Sequence, residues 1–434
     1  GRCHERYERI VRITMMYSNT WYKNTDVLNF SLGIEDTFIH QTRPGMRALD
    51  EYELTGHYEH WHSDLGLIPQ TGVNHVRWGI PWYLINPDKG MYKFDWLDAV
   101  VDRFEELNLE VIVDLMHYGT PFWLDNSFIN NDYPKYVAGY AATVAERYKD
   151  RLNIWTPLNE PLLNMMYCGE YGYWPPYLTG DDGFAKLFHS ITQGMVLTQQ
   201  AISEVAPQST FVNVEASFRF VGDTDSYRER VDFLKDRRFL VEDTIMGKVD
   251  GSHPLLPWLQ SHGLTDNDMQ WYRDNAVRPD VIGVNYYPQV STVKYVDGDP
   301  HDGSPFDPLP FQNDGVEGLK DVLTLWSQRY DLPVYLTETS NPGSVQERID
   351  WLRASVQTVD ELRAQGINLI GYTWWSLFDM MYWSYRDEDK TSDHYLAHMG
   401  LWDLEIDDRS SYKRVRTEAV DVYRELVDAH RIHA

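Results

Sequence analysis

Eight short, β-branched apolar runs recur along the chain, each followed by a polar loop and most by an amphipathic stretch. They occupy residues 27–34, 74–80, 109–117, 152–160, 209–215, 279–287, 332–338 and 367–375. Near-continuous apolar character, rather than strict alternation, is what a strand buried on both faces requires. Helical patterns lie between or after them at 96–108, 134–150, 184–206, 345–365 and 412–429. Alternation of this kind without a Ser/Gly- or Pro-rich linker predicts an α/β fold, a single (β/α)8 TIM barrel. The barrel is expected over residues 27–434, behind an N-terminal extension, 1–26. A doubly wound sheet is the competing fold. It usually carries an early glycine-rich phosphate turn, and neither G-x-G-x-x-G nor G-x-x-x-x-G-K occurs here.

Charge narrows the partners. Lys plus Arg total 39 against 66 Asp plus Glu, a net charge of −27. Such a surface repels phosphate, so neither nucleic acid nor an anionic membrane is an expected partner. No apolar run approaches the ~18 residues of a membrane helix. The first residues are charged and lack the apolar core of a signal peptide. Two cysteines, Cys3 and Cys168, fit a reducing compartment and leave no thiolate metal site. A cytoplasmic location is expected, and a homo-oligomer is compatible with the composition. His57, His60 and His62 invite a metal reading. On a helix, however, 57 and 60 share a face that 62 does not, and no H-E-x-x-H motif is present. No metal and no cofactor are expected.

The ends of the runs carry the chemistry. Arg77, His117, Asn159 with Glu160, Glu215, Asn285 with Tyr287, Glu338 and Trp375 stand at or near the last positions of runs two to eight. Polar groups at the ends of otherwise apolar strands cost stability, and their repetition predicts a lined pocket. In a barrel, catalytic side chains come from these ends. Glu160 and Glu338 form the pair that glycoside cleavage needs, one to protonate the leaving oxygen and one to attack or to activate water. Either alone would read as a helix cap or an ion-pair partner. No run ends in the Lys of a Schiff-base aldolase, and only one ends in His, too few for a metal-dependent hydrolase.

The surrounding motifs decide between these readings. WTPLNEP (155–161) and VYLTETS (334–340) resemble the paired active-site motifs of glycoside hydrolase family 1, the β-glucosidase family. NFSLGIEDTFI (29–39), HVRWGIPW (75–82), LMHYGTPFWL (115–124), IGVNYY (282–287) and GYTWWSLFD (371–379) resemble further family motifs in the same order. The resemblance implies a retaining β-glycosidase acting on a small-molecule or oligosaccharide β-glycoside. It makes Glu338 the nucleophile and Glu160 the acid/base. Arg77 and Tyr287 would hold Glu338 ionised, Asn159 would bind the sugar 2-hydroxyl and His117 a neighbouring one. Trp375 would be the platform under the ring, and Asn285 a further binding residue. Residues 169–178 read equally as an aglycone wall or as a rigid proline-set loop. A transglycosidase would use the same carboxylates, and a non-catalytic carbohydrate-binding barrel is the more distant alternative.

The pattern also breaks. The family usually places Glu-Trp seven and eight residues after the platform tryptophan, the Glu gripping the 4- and 6-hydroxyls of glucose or galactose. Here those positions are Tyr382 and Trp383. The usual Gln after the first strand falls near His40-Gln41, and Tyr118 stands where a Trp follows the third-strand His. The groups around the reacting centre are kept, while those that recognise the far side of the sugar are altered. The expected glycone is therefore a pentose, a deoxy sugar, another epimer or a substituted sugar. Glu35 or Glu215 could supply the missing carboxylate, Glu35 being the nearer to the first-strand motif.

Overall fold

The computed structural model describes residues 20–222, 224–297 and 309–431. Eight parallel strands close into a barrel: β1 (Asn29–Gly33), β2 (His75–Gly79), β3 (Glu110–Asp114), β4 (Ile154–Thr156), β5 (Thr210–Ala216), β6 (Val281–Asn285), β7 (Val334–Thr339) and β8 (Leu369–Trp375). Each pairs with its sequence neighbours, and β8 closes on β1. Every run read from the sequence supplies one strand.

The longer helices outside the barrel are α1 (His57–Leu67), α2 (Asp95–Glu106), α3 (Tyr133–Tyr148), α4 (Gly180–Val205), α5 (Arg228–Arg237), α6 (Leu240–Ile245), α7 (Asp266–Asp274), α8 (Gly315–Tyr330), α9 (Val345–Ala364) and α10 (Glu418–Arg431). Helix α2 buries Leu97, Val100, Val101 and Phe104, one stripe at i, i+3, i+4 and i+7. A reciprocal capping box of Ser344 and Glu347 starts α9. The helix expected at 412–429 begins later. Tyr412–Arg416 is instead a strand antiparallel to Trp402–Ile406, with Lys413 opposite Glu405. Cross-strand charge pairing favours that ladder, and the Thr417 hydroxyl, accepting from Ala419 N at 3.2 Å, opens α10. No described helix is long and apolar enough to cross a membrane.

At the barrel base, Ile112, Ile154, Val212, Val214, Val281, Tyr335 and Ile370 form an inner cluster against which Trp21 and Tyr22 pack. Tyr22 donates to Asp280 at 3.1 Å. Residues 20–26 of the expected extension thus cover the base of the barrel, and residues 1–19, with Cys3, lie outside the described part. Cys168 is buried and unpaired among the described residues.

Register aligns the opposite rim. Gly33 lies beside Arg77 on one flank and Trp375 on the other, while Asn285 lies beside Ala216 and Glu338. Two glycines are required by close approach. A Cβ at Gly33 would sit 1.9 Å from the Trp375 ring, and one at Gly79 1.8 Å from Asp36 Oδ2. A bulge in β7 sets Leu336 opposite Val284 and Glu338 opposite Asn285, leaving Thr337 as the extra residue. Strict alternation from the inward-facing Tyr335 would send Glu338 outward, and the bulge turns it in.

Candidate active site

The rim opens into a cavity of about 570 Å³ onto which Glu35, His117, Tyr118, Glu160, Asn285, Tyr287, Glu338, Tyr382 and Trp383 all face. Glu338, at the β7 bulge, is buried at 4 % exposure. Arg77 Nη1 donates to its Oε1 at 2.6 Å and the Tyr287 hydroxyl to its Oε2 at 2.6 Å. Both oxygens therefore have donors, one of them cationic. Glu160 follows β4 in a left-handed conformation, φ 48° and ψ 63°. This is uncommon for a non-glycine residue and typical of sites where geometry outranks strain. Its N–H donates to Val214 O at 3.1 Å, and its carbonyl accepts from Asn164 Nδ2 at 3.0 Å. The carboxyl accepts from the Tyr118 hydroxyl on one oxygen and from Asn285 Nδ2, at 3.2 Å, on the other.

The two carboxyls thus differ in their partners: Glu338 has a guanidinium, Glu160 only neutral donors. Burial raises both above the usual carboxylate range. For Glu338 it does so to about 7, against the pull of Arg77 and with the charge of Glu160 adding to it. Arg77 and Tyr287 on its oxygens favour the ionised form of Glu338, and Glu160 has no cationic donor of its own.

Behind them runs a buried network. Arg77 Nη2 donates to Asp114 at 2.9 Å and to Asn159 Oδ1 at 2.7 Å. Asn285 Nδ2 also reaches Asn159 Oδ1, at 3.3 Å. Asn159 in turn points its amide N–H at His117 Nε2, 3.1 Å away. His117 Nδ1 lies 3.0 Å from Asp114 and 2.8 Å from Asp36. Burial opposes a charge on His117, but the two aspartates outweigh it and raise its pKa. The Asn159 N–H nonetheless needs a lone pair on Nε2, so the tautomer that satisfies the network is neutral, with the proton on Nδ1. Burial also drives Asp36 well above the usual range, against the pull of His117. Burial opposes ionisation of Asp114 as well, yet Arg77 and His117 hold it below that range.

Several expectations change. Asn159 and Arg77 are fully buried in this network, where they position the two carboxyls, and neither lines the cavity. Trp375 has 0 % exposure and no face on the cavity. Glu35 Oε2 holds its indole N–H at 2.8 Å, and Met380, Ala397 and Met399 pack with it. Residues 169–178 leave the cavity wall to Leu163 and Tyr167, and the Trp174 ring packs on Tyr118 and Trp383 instead. Glu215 also lies off the cavity. Its Oε1 accepts from Leu162 N at 3.1 Å and from Ala216 N at 3.0 Å, fastening the turn after Glu160. Tyr382 stands half-exposed on the rim. His57 is a satisfied core histidine, Nδ1 on Asp64 at 2.8 Å and Nε2 accepting from Trp78 at 3.1 Å. Glu35, Asp36 and His117 bring ligand-type atoms together; Trp375 and Thr37 hold Glu35, Asp114 holds His117, and Asp36 lies 2.8 Å from His117 Nδ1.

The family model described as glycosyl hydrolase family 1 matches residues 31–432. The chain belongs to glycosyl hydrolase family 1. It is 25 % identical over 424 residues to a bifunctional β-D-glucosidase/β-D-fucosidase of Bifidobacterium breve, covering 86 % of this chain and 87 % of the relative. It is 23 % identical over 405 residues to an aryl-phospho-β-D-glucosidase of Bacillus subtilis, covering 78 % and 83 %. A β-glucosidase from Thermotoga maritima solved with deoxynojirimycin superposes with a TM-score of 0.77 at 18 % identity, over 93 % of this chain and 98 % of that one. That likeness is one of fold. As a family 1 member the protein is a glycoside hydrolase, with β-glucosidase-like hydrolysis as its activity class. The sequence reading of this family 1 site missed Asp36, Asp114 and the bond from Tyr118. The aspartate inside the apolar run 109–117 is the signal the sequence carries for this network, because such a residue needs a buried cation.

Proposed function

We propose that the protein is a retaining β-glycosidase with Glu338 as nucleophile and Glu160 as acid/base, acting on a glycone other than ordinary glucose or galactose. One observation carries this reading: two buried carboxyls face one cavity, and only Glu338 is bonded to a guanidinium. That asymmetry separates a resident anion from a resident acid. The Glu338 carboxylate attacks the anomeric carbon as the glycosidic C–O bond breaks, and the Glu160 proton passes to the leaving oxygen. The ester removes the charge from Glu338, so Glu160, now ionised, loses the repulsion that favoured its protonation. It then takes a proton from water, whose oxygen displaces Glu338 and releases the sugar with its configuration retained.

The substrate inference rests on the walls. Among the described cavity-lining residues none is Lys or Arg, so a phosphorylated glycone of the kind named for the Bacillus subtilis relative finds no counter-charge. The rim phenol of Tyr382 supplies one neutral group where a carboxylate would grip two hydroxyls. A panel of nitrophenyl β-glycosides tests this. Glucoside and galactoside are expected to fall at least about tenfold below the best glycone in kcat/KM, and parity would remove the altered-glycone reading.

The pH profile follows from the same assignment. Activity rises as Glu338 ionises and falls as Glu160 loses its proton. The Tyr118 hydroxyl donates to Glu160 and so favours its ionised form. Tyr118→Phe is therefore expected to move the alkaline limb of kcat/KM to higher pH while leaving the acidic limb in place. An unmoved alkaline limb would show that the bond does not tune the acid.

A further inference from the structure

The cavity contains a third carboxylate. Glu35, two residues past β1, is buried at 5 % exposure and faces the cavity beside Glu160 and Glu338. Three donors fix it: the Trp375 indole N–H on Oε2, and the hydroxyl and the N–H of Thr37 on Oε1. His117 Nε2 is 3.9 Å away. A carboxylate has about four acceptor positions, so Glu35, with three donors, keeps capacity for about one hydroxyl donor. Its place in the barrel sets what it can reach. An anomeric carbon between Glu160, after β4, and Glu338, on β7, leaves the far edge of the ring toward β1 and β8.

The wall next to Glu35 has the opposite character. Met380 and Ala397 are paired across a two-stranded ladder, and with Met399 they line the cavity and pack on Trp375. Tyr382, two residues beyond Met380, has moved out to the rim. A thioether is at best a weak acceptor and a methyl group is none, so a hydroxymethyl group laid there loses its water without a strong replacement.

We infer that Glu35 reads a ring hydroxyl at the far edge of the glycone and that the methionine wall takes a methyl group, so the preferred glycone is a 6-deoxyhexose. This deepens the retaining-glycosidase reading and rests on it for turnover. Glu35 supplies hydroxyl recognition at a ring carbon, and the exocyclic carbon is left against the methionine wall. Two other polar groups compete for that carbon: the buried Ser340 hydroxyl and the indole N–H of Trp383, which packs against the methionine wall; both line the cavity without a protein partner.

Matched substrate pairs test the inference: the nitrophenyl β-fucoside against the β-galactoside, and the β-quinovoside against the β-glucoside. The 6-deoxy member is expected to have about tenfold or more the kcat/KM of its parent. Met399→Gln, which adds an amide to the wall, is expected to narrow that ratio. Glu35→Gln still accepts from the Trp375 indole, so thermal unfolding should stay close to wild type. Its kcat/KM is expected to fall by about a hundredfold on both members of a pair, with the ratio between them kept. Calorimetric binding of 1-deoxynojirimycin, its galacto epimer and their 6-deoxy analogues reads the same preference without turnover. If the 6-deoxy inhibitors bind more tightly while no glycoside is hydrolysed, the glycone inference stands and the hydrolase assignment of these carboxyls falls. Equal binding and equal kcat/KM within the pairs would overturn the inference, and loss of the parent sugars alone in Ser340→Ala would identify the group that replaces it. An unchanged Glu35→Gln would remove Glu35 from recognition.

Discussion

Glu338→Ala is expected to lower nitrophenyl glycoside hydrolysis by about 10⁴-fold or more, with folding retained. The variant removes the atom that bonds to the anomeric carbon, and effects of that size accompany loss of a nucleophile. It also leaves a cavity beside Arg77, whose Nη1 loses its partner. A small anion such as azide can occupy that space, drawn by the guanidinium. Added azide is then expected to restore turnover and to form the α-glycosyl azide, because it attacks from the face that Glu338 used. Measuring the rescue and the anomer together separates loss of a nucleophile from loss of structure. A β-azide product would place the attacking group elsewhere.

The second large effect belongs to Glu160. Removing a general acid costs about 10²–10⁴-fold when the leaving group needs a proton. Glu160→Ala is therefore expected to be severe on alkyl glycosides and mild on dinitrophenyl glycosides, whose leaving oxygen departs unprotonated. The second step then becomes limiting, so a burst of dinitrophenol should precede slow turnover. Azide should speed that step and give the β-glycosyl azide, opposite to the product of Glu338→Ala. Equal losses across leaving groups would mean that Glu160 is not the acid. The left-handed backbone at Glu160 supports a positioned role, since an ordinary helix start would not demand φ 48°.

The barrel was legible because strands buried on both faces leave continuous apolar runs, and because ionisable residues at their ends break that pattern visibly. Glu160, Glu338 and Arg77 were found in this way. What stayed hidden depends on backbone detail or on distant partners. The β7 bulge that turns Glu338 inward involves one extra residue and leaves no compositional mark. Trp375 reads as a platform in its motif, yet Glu35, 340 residues away, takes its indole N–H and the methionines pack with it. Asn159 reads as a sugar ligand, but Arg77, His117 and Asn285 claim its amide. The hairpin at 402–416 was hidden because KRVR scans as an amphipathic helix until its partner strand is known. In sequence Glu35 leads Glu215 only by lying near His40-Gln41, both being acids at strand ends. Only the fold puts one in the cavity and the other beneath the Glu160 turn.

Glu338 and Glu160 acting in two successive displacements at one carbon would leave the sugar's configuration unchanged. The most direct test is proton NMR of the first sugar released from the best nitrophenyl β-glycoside, recorded before mutarotation. The β-anomer is expected to appear first and the α-anomer to grow in later. The α-anomer appearing first would contradict it, because a single displacement by water would then be the reaction and Glu338 its base.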